Sequence, residues 1–192
     1  MGEILTQPPV KLFAGLISGY PQLLSKAESA LASEFGPIEL RSDPMVFDFT
    51  DYYDKEMGPN LKRVFLSFQK PVMPDEIARI KLLTNRMEKE LAGQLSGKSA
   101  DNPALMRGET VTRPINIDPG YLDRSKMILV TTKDYNHRIY LKDGIYAEVT
   151  LQYKAKEGFQ PFPWAYPDYR TKPYLDFFNK ARTIYAKQVS QS

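Results

Sequence analysis

The sequence predicts an α+β fold: a split β-α-β (ferredoxin-like) first half, with a largely antiparallel sheet extended by a C-terminal hairpin and a closing helix. Three observations predict it. Apolar runs and helically spaced segments alternate as β-α-β-β-α-β as far as residue 117. The stretch that follows is rich in β-branched and aromatic residues, with turn signals between the runs. Residues 172–188 then return to helical spacing. This order places the helices on one face of a largely antiparallel sheet.

Each element has a local reason. Residues 10–18, VKLFAGLIS, are an apolar run ended by Gly19 and Pro21, and read as a strand. In residues 21–36, Leu23, Leu24, Ala27, Leu31 and Phe35 recur at helical spacing, and Gly36 marks the stop. Residues 38–49 are extended, interrupted at Asp43-Pro44. Residues 61–69, LKRVFLSFQ, are another strand. Residues 74–93 open with Pro74 and two acids, favourable at a helix N-terminus. Ile77, Ile80, Leu83, Met87 and Leu91 form their apolar stripe.

Residues 93–112 lose periodicity and read as a mobile loop. Residues 113–117, RPINI, are a short strand closed by a turn at Asp118-Pro119-Gly120. Residues 126–133 are a strand. Residues 161–170, PFPWAYPDYR, lie extended over the fold, with Trp164 as a packing anchor. The closing helix carries Leu175, Phe178, Ala181, Arg182 and Tyr185 on adjacent turns.

The hairpin in residues 131–154 is read by register. A two-residue Asp143-Gly144 turn pairs Lys142 with Ile145 and mixes apolar and polar side chains on each face. A three-residue loop pairs Leu141 with Ile145. It gathers Ile139, Leu141, Ile145, Ala147, Val149 and Leu151 on one face and sets Arg138 opposite Glu148 on the other. A one-residue slip flips every side chain, so the segregating register is preferred. It puts His137, the lone histidine, on the apolar face, where it borders the core. The polar face reads either as a solvated surface or as a ligand platform under residues 161–170.

Composition excludes several chemistries. With 192 residues the chain suits one α+β domain, residues 1–192. It has no cysteine, so disulfides, thiolate catalysis and cysteine zinc sites are absent. A net charge of +3 without a Lys/Arg run gives little footprint for nucleic acid. Residues 1–9 lack the pattern of a signal peptide, and no apolar run reaches membrane-span length, so a cytoplasmic protein with no membrane partner is expected. P-loop, dinucleotide-binding and nucleophile-elbow motifs are missing. The acidic segment 47–56 is read as a solvated loop and not as a metal site.

The candidate pocket gathers charged residues that recur within otherwise apolar, strand-rich blocks: Asn116, Asp118, Lys133, His137, Arg138, Glu148, Asp168 and Arg170. Lys133, Arg138 and Arg170 would hold an anion. His137 or Glu148 would act as acid or base if chemistry follows. The expected partner is a small polar or anionic ligand, with the cofactor unknown and enzymatic activity left open. The rival reading is an interaction module or homo-oligomer using Tyr52, Tyr53, Tyr166 and Tyr169 as an exposed surface. RNA binding on an open sheet is the third.

The blocks PVKLFAGLI, RPINIDPGYL, TTKDYNHRIYL, GIYAEVTLQY, PWAYPDYR and YLDFFNKAR together resemble a bacterial family known as domain of unknown function 4416. The resemblance covers about residues 8–187 and omits the loop 93–112. It implies little about mechanism. A GTP-binding label carried by some members would ordinarily rest on a P-loop and an N-K-x-D motif, and this sequence has neither.

Overall fold

A computed structural model describes residues 2–4, 6–49, 54–95 and 111–190. Nine strands form one largely antiparallel sheet, with the main path β2-β4-β1-β5-β6-β8-β7. β1 is Lys11–Ser18, β2 Ile38–Arg41, β3 Met45–Val46, β4 Lys62–Phe68 and β5 Asn116–Leu122. β6 is Lys126–Thr131, β7 Ile139–Lys142, β8 Ile145–Lys154 and β9 Gly158–Pro161. The helices are α1 Pro21–Phe35, a short α2 Asp54–Met57, α3 Ile77–Leu95 and α4 Lys172–Gln188. α1 joins β1 to β2 with β4 inserted between them, and α3 joins β4 to β5 with β1 between them. Both connections are split β-α-β units, since the inserted strand is antiparallel to each of its neighbours.

Every residue of β1 is buried. Alternate side chains feed opposite layers, as the two-residue period of a strand requires. Leu12, Ala14 and Leu16 join Val64, Leu66 and Phe68 beneath α1 and α3. Phe13 and Phe65 face the other way, against Phe177 and Phe178 of α4, with ring centroids 5.0–5.3 Å apart. Such aromatic pairs each contribute about 0.5–1.5 kcal/mol beyond burial. α4 therefore covers the second face, and the expectation of helices on a single face is corrected. The α1 stripe is the expected one, with Leu23, Leu24, Ala27, Leu31 and Phe35 buried. The α4 stripe is rotated from expectation: Tyr174, Phe177, Phe178, Ala181 and Tyr185 are buried, while Leu175 and Arg182 lie at its border.

Asp118-Pro119-Gly120 is not a turn. It runs through the middle of β5, paired with Gly15, Ala14 and Phe13 of β1. Gly120 is needed for close approach: a Cβ there would stand 2.3 Å from the Ile128 carbonyl and 2.5 Å from the Phe13 ring. The hairpin combines the two registers considered. Asp143 and Gly144 both have positive φ, 53° and 75°, in a two-residue turn that pairs Lys142 with Ile145. A bulge between Tyr140 and Lys142 then restores the other register, with Tyr140 opposite Tyr146 and Ile139 opposite Ala147. β7 is an edge strand with all four residues exposed, so Ile139 and Leu141 are not core residues as expected. Part of segment 161–170 forms a 3-10 turn, Pro167–Arg170. The expected loop 93–112 lies largely outside the described residues, and α3 continues to Leu95.

Candidate functional site

The site begins with a missing hydrogen. β5 pairs with β1 from Asn116 to Leu122, but with β6 only from Gly120 to Leu122. Tyr121 turns its backbone toward β6 and pairs with Ile128. Pro119, two residues back, has the same orientation and no N–H to donate, so the ladder stops there. Beyond it β5 and β6 part, and the sheet opens into a fork.

The backbone of Ile117 faces that gap and is satisfied from α3. Its N–H donates to Glu88 at 2.7 Å, and its carbonyl accepts from Lys81 Nζ at 3.1 Å. Lys81 and Glu88 lie two turns apart on the same helical face. Lys81 Nζ also reaches Asp118 at 3.2 Å, although Asp118 and Ile117 point to opposite faces of β5. The fork is thus where residues of both sheet faces meet. It opens into a cleft of about 410 Å³.

Arg63 of β4 forms the inner wall, only 4% exposed. Its guanidinium lies between the rings of Phe47 and Phe65, 5.2 and 5.4 Å from their centroids. Asp168 stands 3.4 Å from Nη2 and Asp118 3.7 Å from Nη1. Nε and Nη1 have no partner in good hydrogen-bond geometry, and the Tyr174 hydroxyl stands near enough to interact with the guanidinium. Burial opposes the charge, but Tyr169, Tyr174, Asp168 and Asp118 outweigh it and hold the Arg63 pKa above its ordinary value. Asp118 is buffered differently. Its burial is outweighed by Lys81, Arg63, Arg113 and the Asn116 amide, and its pKa is lowered. Asp168, 3% exposed, has its pKa raised by burial against the pull of Arg63.

The outer wall is the hairpin. Arg138 Nε donates to Glu148 at 2.7 Å, Nη1 to the Lys133 carbonyl and Nη2 to the Tyr166 hydroxyl. Its guanidinium also lies 4.8 Å from the Tyr135 ring. Glu148 further accepts from Thr150 and contacts His137 Nε2 at 3.2 Å. His137 does not border the core. It turns toward Glu148 and stacks between Tyr135 and Trp164. The expectation for His137 is corrected because the loop before β7 leaves the strand alternation on which it rested.

Of the residues selected from sequence, Asn116, Asp118, Lys133, Arg138, Glu148 and Asp168 line this one cleft. His137 sits behind Glu148. Arg170 is elsewhere, donating to the carbonyls of Pro163 and Ala165, and so ties its own segment together. Sequence reasoning missed Arg63, Lys81, Asn85, Arg113 and Tyr169 in the lining. A signal existed for two of them. Arg63 shares strand parity with the core residue Phe65, and Lys81 lies beside Ile77 and Ile80 on a buried helix face. Among the described residues, no group of three or more His, Cys, Asp or Glu is placed to hold a metal ion. No helix among them is long and apolar enough to cross a membrane.

The fold and cleft define an α+β protein whose sheet is opened by a charged, aromatic-walled cleft. The chain belongs to a family described as Domain of unknown function (DUF4416), whose model matches residues 8–185. No curated protein and no solved structure matches it.

Proposed function

We propose that the chain binds a small ligand bearing an oxyanion in the cleft between β5 and β6. The observation that carries this is Arg63. Burying a guanidinium costs several kcal/mol, and a purely structural ion pair recovers that through short bonds of about 2.7–2.9 Å. Arg63 has none that short, and Nε and Nη1 lack a well-formed hydrogen bond, with Asp118 at 3.7 Å and the Tyr174 hydroxyl as the oxygens near them. A carboxylate or phosphoryl oxygen would satisfy them. Among the described residues, five cationic side chains line the cleft (Arg63, Lys81, Arg113, Lys133, Arg138) with three carboxylates (Asp118, Glu148, Asp168), and Glu88 pairs with Arg113 behind them, a narrow cationic majority that favours an anion.

Glu148 is held by Arg138, His137 and Thr150. That makes it a clamp for the outer wall and leaves Asp168 better placed for proton transfer. We read the first half as ferredoxin-like and the protein as cytoplasmic. A thermal-shift screen of phosphorylated metabolites and carboxylates, with Arg63→Met as control, tests the reading. A ligand that stabilises the parent and not the variant is the expected result. Equal stabilisation of both would overturn it.

Self-association is the second reading. It rests on the exposed edge strand β7, with Ile139 and Tyr140 71% and 56% exposed. Of the tyrosines expected on that surface, Tyr166 is exposed, at the mouth of the cleft, Tyr169 is buried, and Tyr52 and Tyr53 lie outside the described residues. A concentration-independent monomer mass would end it. RNA binding needs an open sheet face, and α4 occupies the one left by α1 and α3.

A further inference from the structure

We propose that Asp168 takes up a proton when an oxyanion settles on Arg63, so that the cleft binds anion and proton together. This rests on the anion-binding reading above and adds a linkage to it. Asp168 is 3% exposed, lines the cleft, and holds Arg63 Nη2 at 3.4 Å. Nη1 of the same guanidinium has no well-formed hydrogen bond, with Asp118 3.7 Å away. A ligand oxyanion held at Arg63 in the cleft therefore brings negative charge within a few Å of the Asp168 carboxylate, and draws on the cation that stabilises it. Both effects favour the protonated acid.

The groups around Asp168 leave few alternatives. Arg63 faces it from β4, Asp118 from β5 and Tyr174 from α4. Tyr169 adjoins it in the same turn, and the Arg170 guanidinium is engaged by the carbonyls of Pro163 and Ala165. Arg63 and Asp118 are held in their charged forms, and both phenols resist ionisation. Asp168 already leans toward the acid through burial. Two other groups near the cleft serve as controls: Glu88, buried behind Arg113 and Lys81, and His137, outside the cleft lining.

The test uses sulfate, whose charge is constant over the range studied, in isothermal titrations from about pH 5 to 8 in buffers of differing ionisation enthalpy. Uptake approaching one proton is expected, with affinity falling by up to about tenfold per pH unit as pH rises. Asp168→Asn should bind sulfate without uptake, while Glu88→Gln and His137→Gln keep it. The carboxyl carbon shift of Asp168 in labelled parent protein reads the same event without a substitution. Binding that depends on Arg63 but takes up no proton, or uptake that survives Asp168→Asn, overturns the linkage and leaves the anion site standing. Absence of sulfate binding at every pH overturns both.

Discussion

Gly15 makes room for Arg63. A Cβ on Gly15 would stand 2.8 Å from Arg63 Nη1 and 2.9 Å from the Phe65 ring. Gly15 lies directly opposite Phe65 in β4 and Asp118 in β5. Its missing side chain lets the guanidinium lie across β1 toward the cleft.

Gly15→Ala should therefore displace the guanidinium rather than merely stiffen the strand. We expect a loss of about 1–3 kcal/mol, as for other overpacked sites, together with loss of anion binding. Chemical denaturation and sulfate titration measure the two effects. Unchanged anion affinity would mean that Arg63 adapts without cost to its function.

Arg63 and Asp168 should be strongly coupled. Arg63→Met leaves a buried carboxyl without its cation and should lower stability by about 3 kcal/mol at neutral pH. Adding Asp168→Asn to Arg63→Met should recover much of that loss. A double-mutant cycle yields the interaction energy, and additivity would contradict the pairing described.

Glu88 should protect one amide. Glu88→Ala removes the acceptor of the Ile117 N–H and should destabilise by about 1–3 kcal/mol, the penalty of a buried unpaired donor. Native-state hydrogen exchange should accelerate at Ile117 more than at Phe65, its distant counterpart in the sheet centre. Equal acceleration would point to general loosening instead.

Asp118 and Asp168 should act on stability with opposite sign. The Asp118 pKa is lowered in the folded state, so it stabilises above its ordinary value of 3.8 and loses that contribution as pH falls through the lowered value. The Asp168 pKa is raised, so it stabilises below 3.8 and loses that contribution as pH rises through the raised value. Stability curves should show Asp118→Asn flattening the acid side and Asp168→Asn flattening the decline above it. If the two substitutions shift stability in parallel, the assignment fails.

What the sequence made legible was whatever its neighbours along the chain decide. The α1 stripe needs only its own spacing, and the opposition of Arg138 to Glu148 needs only the hairpin. Asp118-Pro119-Gly120 misled because a proline-glycine pair has two meanings. Alone it signals a turn; within a sheet it marks a strand that cannot donate on one side and is closely approached on the other. Only the position of β6 distinguishes them. The role of Arg63 was hidden for the same reason. Its partners Gly15, Phe47 and Asp168 are far from it in sequence, and nothing adjacent to Arg63 announces them.

The fork has a mechanical meaning as well. Among the described residues, the backbone ladder between the β1 side and the β6 side of the sheet is short, from Gly120–Leu129 to Leu122–Met127 with the Asp123–Lys126 bond beyond it, while both core layers span the seam. The cleft is the open end of that seam, bridged on one face by α3, which packs on β5, β6 and β8. An occupant touching Arg63 on one side and Arg138 on the other would act as a wedge. It would set the angle between the two halves and transmit its presence to α3 and α4 on opposite faces.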